Sequence, residues 1–142
     1  MKTVEQLLEE KGREVWTIGP KASVFEALEL MADKNIGALL VTDADEPIGV
    51  LSERDYARKV ILKGRSSKEL KVSEIMSTQL VTARPEQTVE ECMAIMTEKR
   101  RRHLPVLAGD RVAGMISIGD LVKAIIEHQQ FVIEQMESYI NG

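Results

Sequence analysis

The sequence predicts an α/β fold of two β-α-β-β-α repeats related by a pseudo-twofold axis, with a long C-terminal helix after the second. Three observations carry this. First, the chain matches itself at a constant offset of 65 positions: Thr17 aligns with Thr82, Pro20 with Pro85, Val24 with Val89, Glu26 with Glu91, Met31 with Met96, Leu39 with Leu104, Val41 with Val106 and Asp45 with Asp110. A chance match drifts in register, whereas a fixed period marks a repeated structural unit. Second, each copy closes on the same phrase, Gly49-Val-Leu-Ser52-Glu-Arg-Asp55 and Gly114-Met-Ile-Ser117-Ile-Gly-Asp120. Third, Val122, Ile125, Gln129, Val132, Met136 and Tyr139 follow a three-four spacing that runs well past the second copy. Two such units bury a shared apolar face against each other, and paired clefts at such an interface are natural ligand sites.

Each element has a local cause. Residues 4–11 read as a short helix stopped by Gly12, and residues 14–18 as a short strand broken by Pro20. Ser23-x-x-Glu26 is a capping box at the head of a helix whose apolar stripe is Val24, Leu28 and Met31. Two apolar strands follow, 38–42 and 48–52, around the polar turn 43–47, and a second helix begins near Arg54. Residues 63–71 are polar and contain glycine, so they read as a linker between repeat 1 (1–62) and repeat 2 (72–142). The second copy repeats the order. It has a helical start at 73–76, a strand at 80–83, Pro85, and the capping box Thr88-x-x-Glu91 before a helix striped by Val89, Cys92 and Met96. Strands at 104–107 and 112–117 flank a turn at 108–111, and the last helix starts near Gly119. If it runs from 120 to 140, it is about 30 Å long. Its stripe is expected to be covered by another subunit, giving a homodimer, or else by the same chain.

Composition narrows the function classes. At 142 residues, 44% apolar and 30% charged, the chain has the make-up of an ordinary soluble globular protein. A net charge of −4 gives no broad attraction to nucleic acid or anionic membrane. No apolar run approaches the roughly 20 residues that span a bilayer, and the acidic start does not resemble a signal peptide, so a cytoplasmic location is expected. Cys92 is the only cysteine, which excludes an internal disulfide and a thiolate metal cage and marks it as a small core residue. His128 has no metal-ligand partner one helical turn away, so no metal site is expected. Ser117, His103 and Asp120 make a triad on paper, but no nucleophile elbow accompanies them, and an enzyme is not expected.

The Thr-x-x-Pro openings at Thr17 and Thr82, the helix, the strand His103-Leu-Pro-Val106 and the closing Gly-h-h-Ser-x-x-Asp (h, apolar) together resemble a tandem pair of CBS domains, named for cystathionine β-synthase. The resemblance spans roughly nine tenths of the chain, and duplication makes it more specific than any one motif. It implies two α/β halves sharing a pseudo-dyad, each with a three-stranded sheet packed by helices. It also implies a regulatory module that senses adenosine-containing ligands such as AMP, ADP, ATP, NAD or S-adenosylmethionine, forms a homodimer and acts on a regulated protein.

Ser-x-x-Asp at a strand-to-helix junction has two physical readings. As a cap, Ser52 or Ser117 accepts a backbone N–H, and Asp55 or Asp120 sits against the helix dipole. As a ligand site, the carboxylate accepts hydrogen bonds from the two vicinal hydroxyls of a ribose, while the helix start holds a phosphate. The resemblance favours ribose binding for at least one copy, with Leu104 and Pro105 in the apolar strand that offers a slot for the base. The copies differ where a phosphate needs a cation. Arg101, Arg102 and His103 stand where the first repeat has Ile36, Gly37 and Ala38, whereas Arg54 lies beside Asp55 where the second has Gly119. Arg102 and His103 resemble the family's anion-facing positions, so Arg102, His103 and Arg54 are candidate phosphate contacts. The alternative for the run Lys99–Arg102 is a solvated basic helix end. Thr17 and Thr82 match a threonine the family uses near the base or ribose; otherwise they reflect β-propensity. AMP is the leading ligand. A module that only dimerises and a basic-patch nucleic-acid binder are the competing classes, and the overall acidity argues against the second.

Overall fold

The computed structural model describes residues 1–141, which form six α-helices and five strands. The chain divides into two compact units that cut across the sequence repeat. One is the continuous segment Val15–Leu80; the other joins Met1–Glu14 to the chain from Val81 onward.

In the continuous unit, β1 (Thr17–Ile18), β2 (Ala38–Asp43) and β3 (Glu46–Ser52) make a sheet in the order β1-β2-β3. β1 runs parallel to β2 with Ile18 beside Val41, and β2 is antiparallel to β3 with Ala38 beside Ser52 and a bulge after Val41. α2 (Val24–Lys34) starts where the Ser23 hydroxyl accepts the Glu26 N–H at 3.0 Å and ends at Asn35, which takes the left-handed conformation at φ 54°. Its buried side chains, Val24, Ala27 and Met31, pack with Leu39, Val41 and Leu51 of the sheet. α3 (Glu53–Tyr56) passes into a π-helical turn, Ala57–Ile61, that buries Val60.

Residues 63–71 do not form a free linker. Leu70 is buried in this core; its carbonyl accepts the Val24 N–H at 2.9 Å, and the Ser67 carbonyl accepts the Phe25 N–H at 3.0 Å. The segment's polar composition hid the single apolar residue that anchors it. α4 (Val72–Ile75), which opens the second repeat in sequence, also belongs here, with Val72 and Ile75 buried among first-repeat side chains.

The other unit exchanges the same piece. α1 (Val4–Lys11) is held by a reciprocal cap between Thr3 and Gln6 and stopped by Gly12 at φ 102°. It buries Val4, Leu7 and Leu8 among second-repeat residues: Val89, Cys92 and Met96 of α5 (Val89–Lys99), Leu104 and Val106 of β4 (His103–Ala108), and Ile116 of β5 (Arg111–Ser117). β4 and β5 pair antiparallel with His103 beside Ser117 and a bulge after Val106, which is the β2–β3 register moved by 65. The expected strand at 80–83 survives only as one parallel bridge, Ala83 beside Val106. The cause is a proline. In the first repeat the Leu40 N–H donates to the Trp16 carbonyl at 3.1 Å, but the aligned residue Pro105 has no N–H to give. α6 (Ile118–Asn141) then runs 24 residues, of which only Leu121 and Ala124 are buried.

The repeated glycines are packing positions. A Cβ on Gly114 would lie 2.6 Å from Leu8 Cδ2, and one on Gly49 would lie 2.7 Å from the Ser77 carbonyl oxygen. Each strand is thus closely approached, by a buried leucine side chain of α1 in one unit, which would have to shift, and by backbone leaving α4 in the other, which leaves no room for a Cβ.

Candidate functional site

Each repeat places its Ser-x-x-Asp where the last strand of the sheet turns into a helix. In the first, the Ser52 N–H and hydroxyl donate to Asp55 Oδ2, both at 3.0 Å, and the Asp55 N–H returns to Ser52 Oγ at 3.1 Å. In the second, the Ser117 N–H donates to Asp120 Oδ2 at 2.8 Å and the Asp120 N–H to Ser117 Oγ at 3.2 Å. Both motifs therefore close as capping boxes, the structural one of their two readings. The carboxylates stay partly exposed, so the cap leaves them accessible to a donor from solution.

The second-repeat candidates gather around one turn. His103 stands directly across from Ser117, and the Arg102 carbonyl accepts the Ile118 N–H at 2.8 Å, which seats the head of α6 beside the start of β4. The same bond recurs in the first repeat, from the Glu53 N–H to the Gly37 carbonyl at 3.0 Å. Thr82 is half-buried next to the Ala83 bridge, while Thr17 is exposed on β1. Leu104 is fully buried in the core and Pro105 is buried as well, so their side chains serve packing and leave the outer face of this strand to their neighbours. Arg54 is half-buried in the first turn of α3, beside Asp55.

Electrostatics separate the candidates. Burial pushes the His103 imidazole below its ordinary value, with Asp120 opposing and Lys11 and Arg102 adding to the shift. His103 is thus neutral at neutral pH: it offers a ring N–H or a lone pair but no net charge, so the expectation of a cation there falls to Arg102, which is exposed. Burial alone would raise Asp120, but the Lys11 ammonium and the Ser117 N–H outweigh it and hold the carboxyl below the ordinary range. The Cys92 thiol, buried and near Glu91, is pushed up to about 11, which fits a core residue and not a reactive thiolate.

Lys11 is the residue that sequence reasoning passed over. It reaches from the last turn of α1 to Asp120 Oδ2 at 2.6 Å and to the Met115 carbonyl at 2.8 Å. In the sequence it reads as an ordinary basic residue at a helix C-terminus, 109 positions from Asp120. Only the exchange of α1 into the second-repeat unit brings the two together. The first repeat solves the same problem within its own helix: Lys59 lies 3.3 Å from Asp55 Oδ1 and donates to the Ile75 carbonyl at 2.8 Å. A recess of about 90 Å³ beside Asp120, lined in part by Lys11, Glu10 and Glu127, is smaller than the roughly 300 Å³ at which small-molecule pockets begin. Among the described residues no cluster of His, Cys, Asp and Glu is arranged to hold a metal, and no helix is long and apolar enough to cross a membrane.

The sequence model of the CBS domain matches residues 8–62 and 72–127. The CBS domain-containing protein CBSX3, mitochondrial, of Arabidopsis thaliana is 40% identical over 125 residues; the match takes in 84% of this chain and spans 61%, about three fifths, of that protein's length. A solved structure described as a putative signal-transduction protein with CBS domains from Burkholderia ambifaria MC40-6 shares 52% identity, covers 90% of this chain and 96% of its own, and superposes with a TM-score of 0.87. The CBS domain pair of protein MJ0100, solved in complex with 5′-methylthioadenosine and S-adenosyl-L-methionine, matches in fold alone: 21% identity, coverage of 90% of this chain and 98% of its own, and a TM-score of 0.79.

Proposed function

The chain belongs to the CBS-domain family, and from that premise we propose that it is a regulatory adenine-nucleotide sensor, with AMP its leading ligand ahead of ADP, ATP and NAD. The observation that carries the reading is Asp120. Its carboxylate is held ionised and partly exposed at the head of a 24-residue helix, with Arg102, His103, Ser117 and Thr82 on the adjoining chain. An ionised carboxylate is the acceptor that two vicinal ribose hydroxyls need, and the helix start and Arg102 suit a phosphate one turn away. The adenosyl ligands of the MJ0100 domain pair fit the same class. Asp55 with Ser52, Arg54 and Thr17 forms the first-repeat counterpart, with a different set of cations and therefore a different affinity.

The test is a thermal-shift panel of adenine nucleotides with guanine nucleotides as controls. At 100 times its dissociation constant a ligand stabilises a fold by about 2.7 kcal/mol, a rise of several degrees in melting temperature. Asp120→Ala is expected to weaken AMP binding and erase discrimination against 2′-deoxy-AMP, and Asp55→Ala reports on the other repeat. The closed capping boxes favour one competing reading, a module that only dimerises. It prevails if no nucleotide moves the melting curve at millimolar concentration.

A further inference from the structure

The charges around Asp120 balance, and one of them comes from an unexpected place. On the α1 and α6 side the ionised groups are Lys2, Glu10, Lys11, Asp120, Lys123 and Glu127, three cations and three anions. Lys2 is 2.7 Å from Glu10 and 3.4 Å from Glu127, so those two carboxylates have their own partner. Lys11 is left to neutralise Asp120, and its second bond to the Met115 carbonyl fixes the ammonium beside the strand-to-helix turn. Without it the turn would present a partly buried carboxylate with no cation in contact, next to the place where a phosphate has to sit. A neutral nucleoside feels that field weakly, and an anion feels it fully. The position 65 residues on from Lys11 is Met76, and the cation on Asp55 comes instead from Lys59 of the helix that follows it, so only at Asp120 does the neutralising charge come from α1.

We infer that Lys11 is a specificity residue of the second-repeat site, selecting adenosyl ligands that carry an anionic phosphate over those that are neutral or cationic at the same position. The inference rests on the nucleotide reading above and narrows it. Lys11 acts through Asp120: it cancels the carboxylate's charge while leaving its acceptor capacity to the ribose.

The experiment is isothermal titration calorimetry of the full chain, wild type, Lys11→Met, Lys11→Arg and Asp120→Ala, with AMP, adenosine and 5′-methylthioadenosine as the titrants. Lys11→Met should weaken AMP about five- to tenfold, the effect of one charge acting across several ångströms of partly wet protein. Adenosine and 5′-methylthioadenosine should stay within about twofold, and Lys11→Arg should restore most of the AMP affinity. Because the nucleosides need the same fold and the same ribose contacts, they control for damage to α1. An equal loss for all three ligands, or no loss for AMP, overturns the specificity role while leaving the nucleotide reading in place. If the wild type binds none of them, the nucleotide reading falls and this inference with it; if Asp120→Ala binds AMP as the wild type does, AMP binding does not use Asp120, and this inference alone falls.

Discussion

His103 shows how one side chain can make the protein sensitive to mild acid. Burial lowers its pKa in the fold, so the unfolded chain binds the proton first as pH falls. The stability it contributes is complete above its ordinary value of about 6.5 and drains away as pH drops from there through the lowered folded value. Melting temperatures between pH 7.5 and 5 should therefore decline in the wild type, and the decline should be shallower in His103→Asn; parallel curves would mean that His103 is not the group responsible. Asp120 works in a lower pH range. Its lowered pKa stabilises the fold above the ordinary carboxylate value of 3.8, and that contribution disappears only as pH falls below it, so the two effects are separable on one pH series.

Among the elements, α6 is two things in sequence. Its first two turns bury Leu121 and Ala124 in a core, whereas Phe131, Val132, Ile133, Met136, Tyr139 and Ile140 are all exposed. Six large apolar side chains on the last three to four turns are more than an isolated helix leaves in water, and a second copy of the same face would be self-complementary. If a second copy covers this face, truncation after Glu127 should give monomers by light scattering without unfolding the units, since no described residue beyond that point is buried; an unchanged dimer would place association elsewhere. Elements with a local cause were legible from the residues alone: the bounds of α1, the Thr88–Glu91 and Ser23 caps, the paired strands and the long last helix all follow from period and capping chemistry. What was not legible depends on distant partners. Pro105 costs the second repeat a strand because the aligned Leu40 donates a bond that Pro105 has no N–H to make, residues 63–71 are held by one buried leucine and by backbone bonds to the head of α2, and Lys11 meets Asp120 only once α1 has crossed over. The Ser-x-x-Asp residues of the candidate site stand out by repetition, yet their two readings share one geometry, because the carboxylate that caps the helix is the same group a ribose would need.

For the whole molecule, the sequence repeat and the spatial unit are different objects. The core around β2 and β3 needs Leu70, Val72 and Ile75, which lie beyond the end of the first repeat at residue 62. A fragment of residues 15–80 should therefore unfold cooperatively in urea, while a fragment of residues 1–62 should not, having lost three buried apolar side chains at roughly 2–5 kcal/mol each. Equal behaviour of the two would mean that α4 and its lead-in add nothing to that core. The same crossing-over also sets a timetable on the ribosome. Val4, Leu7 and Leu8 leave the exit tunnel well before their partners, because the side chains that cover them extend to Leu121 and Ala124, more than a hundred residues later. At roughly 5–20 residues per second the nascent helix waits on the order of 5–20 seconds, while the inner segment 15–80 is already complete and free to fold. The apolar stretch of α1 thus finds its place only after the inner segment has been made, and through that interval it is a natural client for any chaperone that scans newly made chains.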